Sequence, residues 1–102
     1  MTQRPVVWMP EALDDLNRIV DYLAPDRPEY AHRLVDELAA EGNLLGAYRT
    51  GRPGRVHGTF EKSVPRLRYI IAYSLGAAPD GPVNILHVIH SAQNWQAGGW
   101  PG

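Results

Sequence analysis

The sequence has no cysteine, so disulfides and thiolate metal sites play no part in its fold or chemistry. It also has no apolar run approaching the ~20 residues that a membrane-spanning helix needs. Met1 to Pro10 shows neither the apolar core nor the cleavage site of a signal peptide, so the expected location is the cytoplasm, away from membranes. No set of His, Asp and Glu has metal-ligand spacing, and no glycine-rich loop precedes a helix as a phosphate cradle requires. Neither a metal nor a cofactor is therefore expected. Excess charge of one sign is missing too, with a formal net charge of −1. A pI of about 6.4 argues against a dedicated nucleic-acid binder, whose usual footprint lies above ~9.

What is present is a chain of 102 residues, enough for one domain with a two-layer core and no staples. Leu67 to Leu75 (LRYIIAYSL) is rich in aromatic and β-branched residues and bounded by turn signals, which predicts the central strand. At strand period, Leu67, Tyr69, Ile71, Tyr73 and Leu75 form one apolar face, suited to a helical layer. Arg68, Ile70, Ala72 and Ser74 form the other, expected to be partly open. Arg4 to Trp8 reads as a short strand that Pro5 starts or keeps at an edge. Pro10 fits a first helical turn, and Leu13, Leu16, Ile19, Val20 and Leu23 recur at helical spacing until Ala24-Pro25 ends the helix. Asp26 and Glu29 form a capping pattern, and Ala31, Leu34, Val35, Leu38, Ala39, Gly42 and Leu45 stripe a second helix antiparallel to the first.

Gly46 to Gly54 reads as a Gly/Pro/Arg loop. Alternation then predicts a strand over Val56 to Val64, with Val56, Phe60 and Val64 inward and His57, Thr59, Glu61 and Ser63 outward. In Val83 to His90, Val83, Ile85, His87 and Ile89 share one face, and Leu86, Val88 and His90 the other. The expected fold is α+β: an N-terminal strand, an antiparallel two-helix hairpin, then a three-stranded antiparallel sheet. Residues 1–96 form the domain, and 97–102 are expected as a flexible tail.

Charge is unevenly spread. Residues 1–46 hold nine acidic residues against four arginines, whereas residues 47–75 hold Arg49, Arg52, Arg55, Lys62, Arg66 and Arg68 against Glu61 alone. Either the acids only solvate the outer faces of the helices, or the later segment builds a basic surface facing a polyanion or an acidic partner, such as a peptide disordered when free.

Several blocks in this order resemble the RelE/ParE family of bacterial type II toxin–antitoxin toxins. They are Trp8-Met9-Pro10-Glu11-Ala12 with Asp15-Leu16, Gly51-Arg52-Pro53-Gly54-Arg55, Gly58-Thr59-Phe60-Glu61-Lys62-Ser63-Val64, Tyr69-Ile70-Ile71-Ala72-Tyr73, and Ile85-Leu86-His87-Val88-Ile89-His90 leading to Trp95. The resemblance implies a cytoplasmic toxin neutralised by a cognate antitoxin. It also implies one of two mechanisms: ParE-like poisoning of DNA gyrase without hydrolysis, or RelE-like cleavage of mRNA on the ribosome. A third, non-toxic reading is a module that only binds the antitoxin.

RNA cleavage needs a base for the 2′-hydroxyl, an acid for the leaving oxygen and cations on the phosphate. Nuclease members commonly carry an arginine three residues before the tyrosine that Tyr73 matches; here that residue is Ile70. If the chain is a nuclease, His90, Arg68 and Glu61 are the catalytic candidates. His90 has a second reading, as a residue that hydrogen-bonds near the tail and holds Trp95. Candidates for a partner or nucleic acid are Arg49, Arg52, Arg55, Lys62, Arg68 and Trp95, with the tryptophan offered as an exposed anchor. His87 reads as a satisfied histidine at the edge of the core. The departure at Ile70 favours gyrase as target and a non-enzymatic toxin.

Overall fold

The computed structural model describes residues 3–93, 95, 99 and 100. The elements follow the expected order: β1 (Val6–Trp8), α1 (Pro10–Leu23), α2 (Pro28–Leu44), β2 (Arg52–Pro53), β3 (Phe60–Val64), β4 (Tyr69–Leu75) and β5 (Val83–His90). The five strands make one sheet in the order β1-β5-β4-β3-β2, with β1 parallel to β5 and every other pair antiparallel. The stretch read as the central strand is the middle strand. The one element not expected is β2, two residues of the Gly/Pro/Arg loop that pair back on β3.

Pro10 opens α1, where the Met9 carbonyl accepts from the Ala12 and Leu13 N–H groups. Leu16, Leu34 and Leu38 from the two helices bury against Val88 of the sheet, while Val64, Ile71, Tyr73, Val83 and Ile85 form the adjoining core with Ala12 and Leu45. Leu13 lies outside this stripe and is exposed. Gly42 lets α2 reach the Trp8 ring, since a Cβ there would lie 2.5 Å from a ring carbon. The Asp26 capping pattern is not realised. Arg27 is the N-cap, without a side-chain bond, and Pro28 simply supplies a first turn needing no N–H donor.

Four further expectations are corrected. Strand β3 starts at Phe60, because the chain turns through Val56 to Thr59, where the Thr59 N–H and Oγ1 both donate to the Val56 carbonyl. Val56 therefore packs with Ile70, Ile89 and Trp95 on the sheet face away from the helices. That second face of β4 is covered rather than open, with Ile70 and Ala72 buried. A register irregularity pairs Ala72 with His87 but Tyr73 with Ile85, leaving Leu86 as an extra residue in β5. Alternation reverses there, so Ile85 packs with the helices and Ile89 with Trp95. Finally, Arg68 is not on a strand face. It closes the β3–β4 turn with φ +65°, and β4 begins after it.

Of the tail read over 97–102, residues 97, 98, 101 and 102 lie outside the described residues. Trp100 is described, with its ring 5.0 Å from that of His87.

Candidate functional site

The sheet carries polar side chains on both faces, and the sequence candidates divide between them. On the face away from the helices, Glu61 is 2% exposed, not turned to solvent as its alternation suggested. The loop that β2 folds back over β3 covers it. Its Oε2 accepts from the Arg55 backbone N–H at 2.8 Å, and its Oε1 lies 3.5 Å from Arg55 Nε and 3.7 Å from Arg52 Nη2. The Arg55 guanidinium in turn covers the Trp95 ring at 3.6 Å. Trp95 is 7% exposed among Ile70, Ile89 and Val56, so it anchors the chain's own tail and is not available as an exposed contact. Arg55 and Arg52 are thus partly neutralised by one buried carboxylate. Arg49 is placed differently, donating to the Gly46 carbonyl at 2.8 Å beyond the end of α2. Lys62 alternates with Glu61 and so shares the side of Phe60 and Val64.

On the helical side, a groove of about 440 Å³ opens between the hairpin and the ends of β4 and β5. Leu34, Val88, Ile19 and Leu23 give it apolar walls, with Tyr30 and Tyr69 adding aromatic surface. Arg18, Arg27 and Arg68 bring positive charge, and Asp15 is its one acidic lining residue among the described residues. The Arg27 guanidinium stacks over the Tyr30 ring at 4.2 Å. His90 meets Tyr69 edge-on at 5.1 Å, and its Nδ1 accepts from the Ala92 N–H at 3.1 Å. Burial pushes the Tyr69 phenol above its ordinary 10.0, and Tyr30 beside it adds to the shift. The Arg68 carbonyl accepts from the Ser91 N–H and hydroxyl, at 2.9 and 3.1 Å, which fixes the turn against the end of β5.

Asp15 also has a structural task. Strand β1 stops at Trp8 opposite Ile85, so β5 beyond that point has no strand on this edge among the described residues. Asp15 Oδ2 accepts the Val88 N–H and sits 2.9 Å from His87 Nδ1. A side chain thus takes the place of a strand, and His87 is a satisfied residue at the edge of the core.

The structure therefore brings Arg68 and His90 together in the groove, and Glu61, Arg52, Arg55 and Trp95 together behind the sheet. It does not bring Glu61 to His90. Sequence reasoning missed Arg18, Arg27, Tyr30 and Tyr69 as groove residues. Arg27, Tyr30 and Arg33 stand three apart at the start of α2, a basic-aromatic spacing hidden by the acidic balance of residues 1–46.

A helical hairpin on a mostly antiparallel sheet, with a basic, aromatic groove between them, defines a small α+β domain. A sequence model described as the ParE toxin of the type II toxin–antitoxin system parDE matches residues 6–95, and the chain belongs to that family. It is 33% identical over 96 residues to "Putative toxin Y4kP" of Sinorhizobium fredii, covering 93% of this chain and 96% of that protein. Its fold is also that of two solved structures. A chain of the chromosomal ParDE system from P. aeruginosa superposes with a TM-score of 0.77 at 21% identity, over 86% of this chain and 96% of that one. A chain of the RelBE2 toxin–antitoxin complex from Mycobacterium tuberculosis gives 0.66 at 22%, over 91% and 97%.

Proposed function

We propose that this toxin acts as a ParE-like inhibitor of DNA gyrase, without hydrolysis, and that a cognate antitoxin neutralises it by filling the basic groove. One observation carries the first half. The acid–base pair that RNA cleavage would use is split: Glu61 pairs with Ala72 on the face away from the helices, and His90 pairs with Tyr69 on the helical side. The three-residue step between those β4 positions adds roughly 10 Å along the strand. Glu61 is moreover buried between arginines, and the position a nuclease would give to a cation holds Ile70, itself buried under Trp95. Arg68, on its turn, points to the groove and not to Glu61's face.

The groove supports the second half. Apolar walls, tyrosines and three arginines suit an amphipathic segment with carboxylates along one side. Similarity to toxin structures solved in ParDE and RelBE2 systems supports an antitoxin as its source. Action on gyrase places the toxin in the cytoplasm; among the described residues no helix is long and apolar enough to cross a membrane.

The runner-up, ribosome-dependent mRNA cleavage, has one observation in its favour: Arg68 and His90 do line a common groove. A purified translation system separates the two. The expected result is intact mRNA, and growth arrest on expression that persists in His90→Ala. Ribosome-dependent cleavage that disappears in His90→Ala would replace the gyrase reading with the nuclease one.

A further inference from the structure

The two edges of the sheet are built differently. On one, β2 ends the sheet with Arg52 and Pro53, and Lys62 stands on β3 beside it. Charge and proline are the usual devices that stop an edge from pairing further. On the other, β1 runs from Val6 to Trp8 with no charged residue between Pro5 and Pro10. Its backbone is only half used. The Pro5 carbonyl accepts from the Val83 N–H, and the Met9 N–H donates to the Ile85 carbonyl. That parallel register turns the polar groups of Pro5, Val7 and Met9 to β5, and those of Arg4, Val6 and Trp8 outward. The Gly46 carbonyl takes the Arg4 N–H at 2.8 Å, so the chain leaving α2 closes that end. Val6 and Trp8 remain, each with an N–H and a C=O on a side where no strand pairs among the described residues. Their side chains pack inward under the helices, whereas Val7 alternates to the other face and is 42% exposed.

We propose that this uncharged edge pairs with the same edge of a second copy of the chain, antiparallel and with Val7 on the two-fold axis. Length and pattern select that occupant. Val6 exchanges both its bonds with Trp8 of the second copy, and Trp8 with Val6, so every outward N–H of one copy meets an outward carbonyl of the other. Those bonds use up what Pro5 and Pro10 leave on offer, and a longer guest strand would gain nothing from its extra length. The contact is self-complementary, as an isologous interface must be. It also brings Arg4 to the start of the other copy's α1, where Glu11 is exposed. The axis stands perpendicular to the sheet, so both helical layers, and with them both grooves, lie on one side of the pair. An edge of 3 residues is far short of a standard interface of about 1,600 Å². The dimer is therefore weak alone, dissociating on the order of 0.1–1 mM, and tightens when one partner engages both grooves. The pairing itself does not depend on what fills the groove.

The lack of cysteine makes the test direct. In this pairing the two Val7 residues form a non-hydrogen-bonded pair with Cα atoms about 4.5 Å apart, inside the roughly 4.4–6.8 Å span of a disulfide. Val7→Cys should therefore oxidise to a covalent dimer about tenfold or more faster than Ala40→Cys, an exposed position on α2, because proximity replaces random encounter. In the unmodified chain, sedimentation from about 10 μM to about 1 mM should show monomer passing to dimer. Amide hydrogen exchange at Val6 and Trp8 should slow as concentration rises, while that at Val7, already bonded to β5, should not change. Val7→Lys sets two like charges on the axis without touching the core, and should weaken dimerisation about fivefold. Three results would each overturn the proposal. One is a monomer at about 1 mM, its edge then left for a strand of another protein; another is Val7→Cys coupling no faster than Ala40→Cys. The third is exchange at Val6 and Trp8 that is the same at every concentration.

Discussion

Arg68 shows most clearly how a single residue ties backbone to function. A left-handed conformation costs a non-glycine residue on the order of 1 kcal/mol, yet an arginine occupies this turn, with its backbone bonded to Val64 and Ser91. On the proposed antitoxin reading, its charge and not its backbone is what the groove uses. Arg68→Gly should leave chemical stability unchanged or raise it by up to ~1 kcal/mol, while weakening capture of an acidic groove ligand. A loss of stability above that size in urea titration would show that the side chain supports the fold instead. The tyrosines give a pH prediction at the same scale. Burial raises both Tyr69 and Tyr73 above 10.0, the latter against an opposing pull from Arg49. A raised folded-state value means the folded chain holds those protons more tightly than the unfolded one. Their contribution is therefore complete below pH ~10 and lost as pH climbs through the folded values. Denaturation midpoints should accordingly fall on the alkaline side of ~10, and Tyr69→Phe should lessen that fall.

The elements differ in how far local rules decide them. Both helices were legible in the sequence because proline starts and a 3.6-residue stripe are local signals, and Leu38 at 0% exposure lies where its stripe puts it. Leu38→Ala should cost about 2–5 kcal/mol in chemical denaturation, and a loss below ~1 kcal/mol would mean that α2 packs in another register. The strands were legible as segments but not in their faces. Leu86 adds one residue opposite β4, and period-2 alternation carries no mark of an inserted residue. Glu61 looked solvent-facing because its cover comes from a loop with no periodicity, and that cover depends on Gly51 turning where no helix or strand rule applies. The groove was only half legible for a similar reason. Arg68 and His90 stand in the segment that reads as basic and at the strand end, whereas Arg18, Arg27 and Tyr30 reach the site only through the way the hairpin docks.

At the scale of the molecule, the sheet divides two kinds of surface. On the helical side an open groove gathers arginines, tyrosines and a histidine; on the other, Trp95, Arg55 and Glu61 close the sheet face. The family assignment makes the chain a toxin of a type II system, and the split of Glu61 from His90 is the observation on which the proposed gyrase reading rests. The most direct measurement is DNA supercoiling by purified gyrase with increasing amounts of the purified toxin. The account predicts inhibition that saturates near stoichiometric toxin and survives in His90→Ala. Supercoiling that proceeds unchanged at a large excess of folded toxin would contradict it.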